Sequence, residues 1–338
     1  MPQPIHIVIP MAGLGTRMRP HTWSKPKPLI ALAGSTVLDF SLNQFKSLPA
    51  AFDPHFIFIV GPNQKQQISE HVQAHHADKK VSFVVQETMR GQSDAIYQAR
   101  ELLNGGPMLM TFSDTLIETD LSFLTGEDGD GVAWVKPVPD PRRFGVAEVN
   151  SAGRVTRLVE KPQDLSNNLV LVGFYYFKDS GALINAIEEQ IRRKLTLKNE
   201  FFLADAINVM LEGGLNMRTR HTEVWLDAGM PDAVLETNRY LLENGRDNSA
   251  RFAGIQGVTI IPPVYIHEDV VLKDCVIGPH VSVGPGCDLQ RVIVSNSIIE
   301  ESTQVSQMIL EGSLLGRQVQ VSGQATRLNL GDQSWAMG

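Results

Sequence analysis

Residues 10–30 read PMAGLGTRMRPHTWSKPKPLI, directly after the apolar run Ile5, Ile7, Val8 and Ile9. Gly13 and Gly15 let backbone N–H groups approach an anion closely, because glycine lacks the Cβ that would hold a ligand off. Arg17 and Lys27 put fixed positive charge on the same segment. Pro20, Pro26 and Pro28 fix φ and remove donors, so a shaped, non-helical arm is expected in place of a flexible linker. The loop fits neither G-x-G-x-x-G, which would need glycine at Met18, nor a Walker loop, which would need GK[ST] after its second glycine.

Outward from this arm, residues 5–112 alternate short apolar runs (IHIVI, HFIFIV, VSFVV, PMLMTF) with helical stretches (STVLDFSLNQFKSL, NQKQQISEHVQAHHA, GQSDAIYQARELL). Continuous apolar strands between amphipathic helices predict a parallel sheet covered on both faces, with ligands gathered at the carboxyl ends of its strands. Those ends are the glycine loop, Gln86, and Ser113-Asp114. Residues 131–177 (GVAWVKPV, FGVAEV, RVTRLVEKP, LVLVGFYYF) read as antiparallel additions, with SAGRV as a turn between two of them. Helical pattern returns at DSGALINAIEEQIRRKL and FFLADAINVMLEGG. After the strand-like NMRTRHTEVWLDAG, the stretch PDAVLETNRYLLEN reads as a helix that closes the domain, with Pro231 in its first turn.

Beyond residue 250 the period changes. Val271, Ile277, Val283 and Leu289 recur every six residues with Gly-Pro at 278 and 284; Ile299, Val305, Leu310, Leu315 and Val321 then keep a five- to six-residue step. Hexapeptide apolar repetition predicts a parallel β-helix, here of roughly four coils. Two domains follow, 1–245 and 255–330.

Composition sets bounds. At 338 residues and 43% hydrophobic the chain has the make-up of a globular protein, and a net charge of −7 argues against general nucleic-acid binding. No apolar run is long enough to span a bilayer and no signal-peptide core precedes residue 10, so no membrane partner is expected and the cytoplasm is the default compartment. Cys275 and Cys287 are expected to be small buried apolar residues, not a disulfide framework.

The arm closely resembles the GGxGTRxxPxTxxxPKPL signature of sugar-1-phosphate nucleotidyltransferases. It stands here as AGLGTRMRPHTWSKPKPL, with Ala12 in place of the first glycine. The resemblance extends from residue 5 to about 245 and implies a Rossmann-like α/β domain with a mixed sheet. With the hexapeptide run it is most like the thymidylyltransferase branch, whose C-terminal β-helix is left-handed. It implies transfer of a nucleotidyl group from dTTP or UTP to a sugar 1-phosphate, glucose 1-phosphate favoured, with Mg²⁺. Arg17 and Lys27 would bind the triphosphate. Ala12, Gly13, Gly15 and Thr16 would lie along the nucleotide, and Gln86 and Gly91, five residues apart, would read the pyrimidine. Asp114 in FSDTL and Asp227 in WLDAG would hold the metal; hard carboxylate oxygens suit Mg²⁺. Gly145 in FGV, Glu160 and Lys161 in EKP, and Gly173 and Tyr175 in VGFYYF would receive the sugar phosphate, Tyr175 being equally readable as core.

Two other functions are compatible with the same sequence: a bifunctional enzyme whose β-helix also transfers acyl groups, and a non-catalytic regulatory subunit. Short coils without long inserts weigh against the first. The retained charges at 17, 27, 114, 161 and 227 weigh against the second. The nine histidines show no metal-ligand spacing and read as solvated surface. The β-helix is expected to assemble a homo-oligomer.

Overall fold

The computed structural model describes residues 2–324; the last six residues of the sequence-expected β-helix, 325–330, lie outside them. Packing divides the chain into two units. One runs to Ile30 and again over Thr36–Met230, and the other takes Ala31–Ser35 and the chain from Pro231 onward.

In the first unit, β1 (Gln3–Pro10) lies between β2 (Phe52–Val60) and β4 (Met108–Thr111), with β3 (Lys80–Val85) beyond β2, all parallel. The expected antiparallel additions follow on the other side. β9 (Leu169–Phe177) pairs with β4 and with β6 (Gly131–Pro137), and the hairpin of β7 (Gly145–Val149) and β8 (Val155–Glu160) continues that edge. β10 (Met217–His221) joins β6 in parallel. The central strands are largely apolar because both faces are covered. Val8, Ile57 and Ile59 meet Ile96, Leu183, Ile187 and Ile207 on one face; Ile7, Ile9, Phe56 and Phe58 meet Leu38, Leu42, Ile68 and Val72 on the other. The covering helices are α1 (Val37–Asn43), α2 (Lys65–His75), α3 (Gln92–Gln98), α4 (Ser180–Arg193) and α5 (Leu203–Glu212). A two-stranded ladder of β5 (Thr115–Ile117) and β11 (Trp225–Asp227) stands apart from the sheet.

The second unit contains α6 (Pro231–Leu241) and the coils. Sequence pattern assigns this helix to the first domain, but its contacts lie elsewhere. The Asn238 amide oxygen accepts from Ala33 N at 3.0 Å and from Ser282 Oγ at 2.7 Å, which ties the helix to the 31–35 segment and to a coil strand. Parallel ladders of short strands then form three faces, four strands deep among the described residues. One coil takes 17 residues from Val258 to Cys275 and 16 from Val292 to Met308. A turn shorter than three hexapeptides accounts for the phase slip in the sequence. It also corrects the inward register at one position: Val271 is 56% exposed, and Leu272 packs toward the core in its place. Cys275 and Cys287 are free and buried in that core.

Candidate active site

The arm follows β1 and holds two short 3-10 turns, Thr16–Met18 and Lys27–Leu29, which carry Arg17 and Lys27. It is pinned from both sides. Thr22 Oγ1 donates to Gly15 O at 2.8 Å, and Gln64 Nε2, at the start of α2, donates to Gly13 O at 3.0 Å. Ala12 is buried and has no left-handed φ, so its methyl is accommodated without strain.

Two cavities adjoin at the carboxyl ends of the parallel strands. The larger, about 550 Å³, is lined by Ala12, Gly13, Gly15, Thr16, Arg17, Lys27, Gln86, Gly91 and Asp114. The smaller, about 220 Å³, is lined by Gly145, Glu160, Gly173, Tyr175 and Asp227, and again by Arg17 and Asp114. All the sequence-expected residues except Lys161 therefore gather in one place. Lys161 lines neither cavity; its ammonium lies 4.6 Å over the Phe202 ring and 3.7 Å from Glu160 Oε1.

Asp114 and Asp227 are brought together by the β5–β11 ladder, in which Asp227 faces Thr115 and Ala228 N donates to Asp114 O at 2.9 Å. Lys27 forms an ion pair with Asp114 Oδ2, and Gly229 N donates to Asp227 Oδ1 at 2.7 Å. Enclosure by the cleft and then the neighbouring Asp114 push the Asp227 carboxyl upward, against the opposing pull of Gly229 N–H, Lys27 and Arg17. Asp227 still opens to water along the cleft. Two mutually repelling carboxylates are a hard-oxygen donor set that fits Mg²⁺. Burial also raises the Glu160 carboxyl, with Lys161 opposing.

Gln86, immediately after β3, is 3% exposed. Its amide nitrogen donates to Asp94 Oδ2 at 2.8 Å and to Gly91 O at 3.4 Å. Gly91 has φ 113°, and a Cβ there would stand 2.5 Å from Phe201 N, so both conformation and space require glycine. No acceptor for the Gly91 N–H lies among the described residues. Gly173 is similarly constrained: φ is 84° and a Cβ would meet the Phe112 ring at 2.6 Å. Tyr175 belongs to the core and only touches the cavity; burial raises its phenol.

Sequence reasoning missed Gln92 and Phe112, which line both cavities, and Arg143 and Trp225, which line the smaller one. Arg143 directly precedes the Phe-Gly-Val stretch and Trp225 lies inside WLDAG, so adjacency to a motif was the available signal. The histidine expectation needs correction. Only 15% of the His71 side chain and 14% of the His76 side chain are exposed, and each Nε2 lies 2.7 Å from Asp39 Oδ1. His76 sits just past the end of α2, where five residues bring it back beside His71, and the carboxylate they share comes from a different helix.

The nucleotidyl transferase family model matches residues 7–244. Agl11 of Haloferax volcanii, a low-salt glycan biosynthesis nucleotidyltransferase, is 30% identical over 92% of this chain and 92% of its own. Glucose-1-phosphate thymidylyltransferase of Streptomyces antibioticus is 30% identical over 95% of this chain and 96% of its own. A UDP-glucose pyrophosphorylase solved with UDP-glucose shares the fold over 72% of this chain and 100% of its own, with TM-score 0.62 at 18% identity. With the signature arm, the twin cavities and a family match over most of its length, the chain belongs to the sugar-1-phosphate nucleotidyltransferase family.

Proposed function

We propose that this protein transfers the nucleotidyl group of dTTP or UTP to a sugar 1-phosphate, glucose 1-phosphate favoured. The observation that carries the reading is a pair of adjoining cavities that share Arg17 and Asp114, one lined also by Gln86 and Gly91 and the other by Glu160 and Gly145. A phosphate oxygen of the sugar 1-phosphate bonds to the α-phosphorus, the bond from that phosphorus to the bridging oxygen breaks, and pyrophosphate leaves. The nucleophile is already an anion, so no general base is required and catalysis is alignment plus charge neutralisation. Arg17, shared by both cavities, faces the transferring phosphate, and Lys27 the triphosphate. Gly13, Gly15, Ala12 and Thr16 offer backbone along it, and Glu160 accepts from sugar hydroxyls beside Gly145 and Gly173. Arg143 supplies the cation for the sugar phosphate that Lys161 was expected to give. Asp114 and Asp227 would hold Mg²⁺, which when bound neutralises charge on the triphosphate.

Gln86 supports a uracil-type base. With its N–H groups spent on Asp94 and Gly91, it offers an acceptor, and Gly91 offers a donor. That pair complements the ring N–H and carbonyl of uracil or thymine, whereas cytosine presents the reverse. Pyrophosphate release measured for four nucleoside triphosphates against several sugar phosphates with Mg²⁺ tests the reading. Turnover confined to UTP or dTTP is expected, and none with any pair would overturn it. No helix among the described residues is long and apolar enough to cross a membrane; the cytoplasm, with its nucleotide pool, is the compartment we assign. We assign subunit association to the β-helix, where Val276, Ile293 and Ile309 stack in register on one outward column and Ile309 is 77% exposed. Light scattering of Ile309→Lys should show a smaller particle than the unchanged protein; equal sizes would count against that assignment.

A further inference from the structure

We propose that Asp94 is a positioning residue that sets base selectivity, by holding the Gln86 side-chain amide so that only its carbonyl oxygen faces the nucleotide cavity. The inference rests on the transferase reading and names the group that makes it selective. An amide can rotate by half a turn and exchange acceptor for donor at little cost in shape, so a glutamine by itself reads uracil and cytosine almost equally. Here rotation is blocked. Asp94 is 1% exposed and can only accept, so turning the Gln86 oxygen toward it would set two acceptors face to face in a buried position.

Asp94 lies at the third position of α3, where an acid usually serves the helix end. Its partner at the cap is Gly91, which has no side chain, and no capping box forms. The carboxylate is spent on other groups. Oδ2 accepts from Gln86 Nε2 at 2.8 Å; Oδ1 accepts from Arg90 Nη2 at 2.6 Å, Arg90 Nε at 3.1 Å and Gln98 Nε2 at 3.4 Å. Arg90 thus compensates the buried charge from the solvent side, and its own side chain is half exposed. Gly91 O takes the other Gln86 N–H, so the reading pair is fixed from two directions. A role confined to helix stability would not depend on which oxygen meets Gln86. A selectivity role does, because a freed amide could turn its N–H₂ toward cytosine.

The test compares Asp94→Leu, which keeps bulk but removes the acceptor, with Asp94→Asn, which keeps shape but offers an N–H₂ where the carboxylate only accepts. Equilibrium binding of UTP, dTTP and CTP is measured by calorimetry, alongside KM and kcat from pyrophosphate release. Asp94→Leu should weaken UTP or dTTP by roughly tenfold, leave kcat within about twofold, and narrow the preference over CTP by about tenfold or more. Asp94→Asn should narrow the preference as well, because Arg90 holds the oxygen at the Oδ1 position and the N–H₂ then stands toward Gln86, where it can donate to a turned Gln86 oxygen. An unchanged UTP-to-CTP ratio in Asp94→Leu would overturn the proposal, as would wild-type protein that binds both equally. Should Asp94→Leu fail to fold, Arg90→Met must shift the ratio in the same direction, and a fixed ratio there is equally fatal. Binding separates the two claims: selective binding without pyrophosphate release removes the transferase reading and leaves Asp94 tested on its own.

Discussion

Asp39 and Asp227 are the same side chain in opposite circumstances. Asp39, at the start of α1, is surrounded by donors: Thr36 N at 2.9 Å and Thr36 Oγ1 at 2.7 Å reach Oδ2, while His71 and His76 both reach Oδ1. Burial would raise its carboxyl, but the hydrogen bonds from His71, Thr36 and His76 outweigh that and hold it well below the ordinary carboxylate range. For Asp227, enclosure and the repelling neighbour Asp114 push the carboxyl up, against the pull of Gly229 N–H, Lys27 and Arg17. The first is satisfied by protein and fixes two helices to each other. The second sits beside another carboxylate at the cleft, which suits a group that receives a cation with substrate. Although Asp39, His71 and His76 bring potential ligand atoms within 4.8 Å of one another, the donors already on both Asp39 oxygens account for the cluster without an ion.

The comparison breaks most visibly in turnover. Asp114→Asn and Asp227→Asn should each lower pyrophosphate release on the order of a thousandfold while the protein still folds and melts cooperatively. Lys27→Met should lose roughly a hundredfold, since the proposed reaction depends mostly on charge placement and this removes a cation. Asp39→Asn should leave kcat within about twofold. Equal losses at Asp39 and Asp227, measured on well-folded protein, would erase the distinction between them.

Stability gives the reverse pattern. With its folded pKa depressed, Asp39 contributes stability that is fully present above the unfolded value near 4 and is lost as pH falls toward the folded value. Asp39→Asn should therefore cost about 1–3 kcal/mol at neutral pH, with the gap to wild type closing on acidification below pH 4. Thermal melts of both proteins between pH 3 and 7 measure this, and a gap independent of pH would assign the loss to packing instead of charge.

Much of this was legible before folding. The alternation of apolar runs with helical stretches fixed the parallel half of the sheet, because strands buried on both faces must be apolar throughout. Strand-end positions and local motifs then marked Gly13, Gln86, Asp114 and Asp227, since each motif spans only a few residues. What stayed hidden depends on distant pairing. Asp39 meets His71 and His76 across 32 and 37 residues, and α6 joins the second unit through Ala33, 205 positions away. The EKP motif supplied Lys161, but that residue takes a left-handed φ of 50° and lies over Phe202, while Arg143 occupies the cavity wall. A short motif gives residue type and neighbourhood; side-chain direction waits on the backbone.

The smallest effect is the most diagnostic of the contrast. Because the folded pKa of Asp227 is raised, its ionised form carries a penalty that is absent below the unfolded value near 3.8 and complete once pH exceeds the folded value. Asp227→Asn removes that penalty, so the inactive variant should melt slightly higher than wild type at pH 7 without added metal, and at the same temperature near pH 3. The gain is modest because water along the cleft screens the charge. Mg²⁺ with nucleotide should then raise the wild-type melting temperature by more than the variant's, since we assign the ion to both carboxylates. A variant that melts lower than wild type at neutral pH would show that Asp227, like Asp39, is held by donors within the protein, and the division between the two aspartates would fall.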